Sequence, residues 1–183
     1  MKKSYIVLLS LFYVLISVIS SGCSRTDTNT INLSSLLISV DEFPTDWFFN
    51  GFGERGIDED RSIDSVSVFF NSSPYPDTHG STQDVYRFKT IWDAQRDFET
   101  ELKFYEKYYS VPLTWKYVSS LANESHFSCR EEAERCFWVA RYRNLVIEFQ
   151  GPVTPNLLSL EDFENIVKAI DLKAGRIILG IEK

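Results

Sequence analysis

The chain has 183 residues, a formal net charge of −7 and a sequence pI near 4.9. That length supports one domain with a proper core rather than two, and so acidic a chain lacks the basic footprint that nucleic acid requires. Three cysteines and two histidines offer little to a metal centre, and none of their spacings is that of a zinc site.

The first element is a leader. Lys2 and Lys3 precede an almost unbroken apolar run from Tyr5 to Ile19, and Ser20, Ser21, Gly22 and Cys23 close it. As a helix the run spans only about 22 Å, short of the roughly 30 Å hydrocarbon core of a bilayer, so a secretory signal fits better than a permanent span. Gly22 and Cys23 resemble a lipobox, although Ser20 stands where an aliphatic residue is usual. The resemblance implies a chain that begins at Cys23, carries acyl chains such as palmitate there, and is anchored on the extracytoplasmic face of a membrane. Two or more acyl chains suffice for stable anchoring. Loss of the leader takes two lysines and no acid, so the charge falls from −7 to −9. Residues 23–30, polar after the cysteine, are expected to form a tether, and residues 31–183 a single domain.

Ser39, Val40, Asp41 and Glu42 have the spacing of a capping box, and Pro44 ends any helix soon after. A short helical turn is expected near Val40 to Phe43, then an extended segment from Asp46 to Asn50. Trp47, Phe48, Phe49 and Phe52 form an aromatic cluster. A small sheet uses such residues to fill its core, and a ligand groove is the other reading of Trp47, Phe49 and Phe52. Glu54, Asp58, Glu59, Asp60 and Asp64 could offer oxygens to calcium, but they lack EF-hand spacing and read as a solvated loop.

Val66, Val68 and Phe70 alternate along a strand from Ser65 to Phe70, and a long connection leads to a partner strand from Val85 to Lys89. Thr90 caps an amphipathic helix whose buried face is Ile91, Ala94, Phe98, Leu102, Tyr105 and Tyr109, ended by Pro112. Thr114 to Ser119 is expected to be a strand. A hairpin spans Cys136 to Gln150 around a two-residue turn at Arg143 and Asn144. It places Tyr142 opposite Leu145, Ala140 opposite Ile147 and Trp138 opposite Phe149 on one apolar face, with the other face partly covered. His126 to Cys129 pairs with its start, which sets Cys129 against Cys136 for a disulfide. Ser159 caps a second helix with Leu160, Phe163, Ile166, Val167 and Ile170 buried. Gly175 can end it, leaving Arg176 to Ile181 as a final strand or tail. The expected fold is α+β, a single antiparallel sheet flanked by two main amphipathic helices.

Leu36 and Leu37 before Asp41, Glu42, Phe43, Pro44 and Trp47, the run Asn123, Glu124, Ser125, and Arg141 to Asn144 before an apolar strand resemble the extracellular domain of PknH-type kinases and related small lipoproteins. The order of strands and helices is also similar to the PsbP-like fold. These resemblances imply a binding or assembly role and supply no catalytic residues, metal or cofactor. No Ser motif adjoins His79 or His126, and no carboxylate spacing marks an acid and base pair. The reading is therefore a non-catalytic, membrane-anchored domain that binds an envelope protein or small ligand. The alternative is an envelope hydrolase whose carboxylates meet only in three dimensions.

Overall fold

The computed structural model describes residues 27–53, 62–73, 80–130 and 134–180. Its centre is the hairpin of β5 (Arg135–Tyr142) and β6 (Leu145–Pro152), in the register that the alternation of apolar residues demands: Tyr142 faces Leu145, Ala140 faces Ile147 and Trp138 faces Phe149. Arg143 alone of the two turn residues has positive φ, at 60°, the pattern of a II′ turn. β4 (Glu124–Arg130) lies outside β5 and sets Cys129 opposite Cys136.

On the other side β6 pairs with β3 (Gly80–Arg87), which pairs with β2 (Asp64–Ser72), and β2 with β1 (Trp47–Gly53). The result is one six-stranded antiparallel sheet of order β1-β2-β3-β6-β5-β4. The chain thus makes two three-stranded meanders, each followed by a helix: α1 (Ile91–Tyr108) and α2 (Leu160–Leu179). The fold is α+β with a single antiparallel sheet, as the sequence pattern implies. No helix among the described residues is long and apolar enough to cross a membrane.

Alternation divides the sheet between two cores. Trp138, Ala140, Tyr142, Leu145, Ile147 and Phe149 face α2 and join Phe163, Ile166, Val167, Ile170, Ala174 and Ile178 in the main core. Each leucine, isoleucine, valine and phenylalanine among them contributes about 1.5–3 kcal/mol on burial. Two 3-10 turns, Leu33–Leu36 and Val40–Glu42, cover the β2–β3 half of that face. Buried Gln83 on β3 stitches them down: its Oε1 accepts from Ile38 N at 2.7 Å and its Nε2 donates to Leu36 O at 3.0 Å. Across the sheet, Val139 and Val146 meet Phe88, Ala94, Phe98 and Tyr105 under α1. This second face, expected to be partly covered, is buried at Val139 and Val146.

Several expectations are corrected. Thr114 to Ser119 forms no strand; it is irregular chain fastened by side chains. Arg176 onward is not a strand either, because α2 continues through Gly175 to Leu179 and ends at Gly180, whose φ is 65°. Gly175 serves packing: a Cβ there would come within 2.6 Å of Leu121 Cδ1. α1 ends at Tyr108, before Pro112, and Ile91 is half exposed rather than core. The partner strand of β2 starts at Gly80, and the extended segment expected to end at Asn50 is an edge strand reaching Gly53. Ser39 Oγ accepts from Asp41 N at 3.1 Å instead of from Glu42. Residues 27–30, assigned to the tether, form a turn closed by Thr30 N donating to Asp27 O at 3.0 Å. Thr28 is buried and donates to Asn144 Oδ1, so this end of the supposed tether is docked on the β5–β6 turn.

Candidate functional site

The aromatic cluster splits at β1. Trp47 is buried, its ring 5.1 Å from that of Phe43 in the main core. After Phe49 a β-bulge shifts the register, and Gly51 takes a φ of 139° that side chains rarely adopt. The extra residue returns Phe52 to the face of Phe49, since Phe49 pairs with Phe70 and Phe52 with Val68, both core residues. The two rings lie 4.9 Å apart and are 47% and 69% exposed. Phe48 is exposed as well. β1 is the edge of the sheet, and among the described residues no strand pairs with its outer side. Such an edge combines unpaired main-chain groups with apolar rings.

Cys129 and Cys136 form the expected disulfide, with Cα atoms 4.0 Å apart. A cleft of about 260 Å³ beside it is lined by Pro112, Arg130, Glu134, Arg135, Val153 and Leu160. Asp64, one of the acids weighed for calcium, instead pairs with Arg87 at 3.2 Å. Cys23, Glu54, Asp58, Glu59, Asp60 and His79 lie outside the described residues. Among the described residues no group of three or more His, Cys, Asp or Glu side chains is placed to hold a metal ion.

Sequence reasoning missed a buried polar centre. Asp171, on the core face of α2, is 1% exposed. Its carboxylate accepts from Tyr117 Oη and Tyr142 Oη and, at 2.8 Å, from Ser119 Oγ. Burial raises the pKa of both tyrosines, and the neighbouring carboxylate adds to the effect. Both stay protonated, and both donate. Ser119 Oγ in turn accepts from Leu121 N at 3.1 Å and Ala122 N at 2.8 Å. This centre clasps irregular residues 115–122 to α2 and β5. A buried carboxylate needs such partners, and the three donors come from parts of the chain 29 to 54 residues away. The only sequence clue is an aspartate on the apolar face of a helix, one position after Ile170.

His126 lies on β4 at a second cleft of about 190 Å³, shared with Val111, Trp115, Ser125 and Phe127. Its ring stacks on Tyr105 at 6.5 Å, its Nε2 is buried without a hydrogen-bond partner, and desolvation lowers its pKa. Comparison of the chain with protein-family models and with curated sequences finds no match.

Proposed function

We propose that the chain is a non-catalytic binding domain, acylated at Cys23 and held on the extracytoplasmic face of a membrane, where it takes an envelope protein or small ligand. Its sheet and helix order is consistent with a sensor-domain or PsbP-like relationship. The observation that carries this reading is the aromatic edge of β1, where Phe48, Phe49 and Phe52 stand in solvent beside an open strand edge. Exposed sheet edges recruit extended segments of partner chains by main-chain pairing, with side-chain pockets adding specificity. The buried carboxylate of Asp171, by contrast, is engaged with three hydroxyls, as a structural fastening would be.

The test is recovery of the protein from its own membranes, followed by identification of whatever copurifies and a screen for ligand-induced thermal stabilisation. The Phe49→Ser, Phe52→Ser double variant is expected to lose the bound species with its own melting temperature unchanged. Retention of that species by the variant would move the binding surface elsewhere.

A further inference from the structure

We infer that the end of the domain bearing Ile63, Ile91 and Trp92 is seated on the lipid headgroups of the membrane to which Cys23 is anchored, an inference that rests on the lipoprotein reading above. Three observations converge on that end. First, the described chain begins there: Thr28 is buried against Asn144, in the β5–β6 turn, and Asn144 Nδ2 donates to Phe88 O at 2.8 Å. Arg87 fixes the following residues by donating to Ile31 O.

Second, exposed apolar side chains gather beside this docked segment. Ile63 N donates to Arg87 O at 2.8 Å, and Ile91 and Trp92 open α1 just beyond Phe88. Ile63, Ile91 and Trp92 are 53%, 49% and 78% exposed. Trp92 lies off the face of α1 that holds Ala94, Phe98 and Tyr105, so its exposure follows from helix geometry. Exposed Lys89 adjoins them, while Asp93 is occupied by Thr90 and Arg96. Trp and Lys are side chains that suit a membrane interface, the one with its ring at headgroup level and the other with its amine in water.

Third, the reach is short. The four residues that follow Cys23, up to Asp27, span at most about 14 Å when fully extended. β5 has 8 residues, and a strand of that length runs roughly 27 Å from the turn end to the disulfide end. The lipid therefore holds the turn end near the bilayer. Leu113, fully exposed, follows Ser110, which bridges to Cys129 at the disulfide end.

Lipidated full-length protein in vesicles of phosphatidylethanolamine and phosphatidylglycerol tests this, with brominated acyl chains as the fluorescence quencher. Vesicle flotation and the mass of the N-terminal peptide report the anchor independently. Wild-type and Leu113→Ser fluorescence is expected to be quenched, and Trp92→Phe to lose that quenching while still floating. Floating protein with no quenching, or with equal quenching in Trp92→Phe, overturns the seating and leaves the anchor intact. Protein that lacks lipid and does not float overturns both.

Discussion

The two faces of the sheet are made from the same strands, yet α2 and the two 3-10 turns cover one with a continuous core from Ile31 to Ile178, and α1 covers the other with a small cluster. Under α2 the large rings interlock: Phe163 lies 4.9 Å from Phe149, 5.6 Å from Phe127 and 6.3 Å from Trp115. Under α1 the aromatic contacts continue outward from Tyr105 through Tyr109 to Phe104, which is half exposed. The difference teaches that one helix organises the fold while the other closes it. It also explains why the polar fastening at Asp171 belongs to α2: irregular chain must be fixed to the rigid side.

The largest expected effect tests this inequality with the same substitution on both sides. Phe163→Ala should cost about 4–5 kcal/mol and Phe98→Ala about 3 kcal/mol, the two ends of the range for buried phenylalanine. Urea unfolding followed by circular dichroism measures both, and a larger loss at Phe98 would reverse the assignment of the two helices.

Asp171→Ala leaves the buried Tyr142 hydroxyl and the partly buried Tyr117 hydroxyl without an acceptor, and a destabilisation of about 3 kcal/mol is expected. Hydrogen exchange should show residues 115–122 losing protection before the central strands do. Uniform loss of protection would show that the carboxylate supports the whole core rather than one segment.

Reduction of the Cys129 to Cys136 bridge should cost about 2.5 kcal/mol, the loop-closure value for so short a loop. Because β4 is an edge strand, the loss should concentrate there. Unfolding with and without a reductant gives the number.

The smallest effect is expected in alkali. Tyr142 and Tyr117 on the α2 side and Tyr105 on the α1 side all have raised pKa values, burial being the leading cause in each. The unfolded chain releases tyrosine protons at about pH 10 while the folded chain keeps them. The folded state therefore loses stability as pH rises past that value. Melting temperature should fall more steeply in the wild type than in Tyr142→Phe, and parallel curves would remove Tyr142 from the account.

The central hairpin was legible because its alternation and its two-residue turn are local. Cys129 and Cys136 followed from the same register. Residues 111–122 were not, since Trp115 and Tyr117 suggest a strand and the acceptor for the Tyr117 and Ser119 hydroxyls is Asp171, more than fifty residues later. Thr28 was hidden for a similar reason: its neighbours are polar, and its burial depends on Asn144, 116 residues away. Gly175 looked like a helix end because its packing partner, Leu121, belongs to that same irregular segment. At β1 the aromatic composition was plain, but the one-residue bulge that brings Phe52 to the face of Phe49 has no signal in the sequence, nor does the burial of Trp47 beside exposed Phe49.

The mass of the N-terminal peptide from protein extracted from its own membranes bears most directly on the proposed anchoring of the domain at a bilayer through Cys23. The account predicts a peptide that begins at Cys23 and carries acyl chains on that cysteine. A peptide that begins at Cys23 or elsewhere without lipid, or that retains Met1, would contradict it.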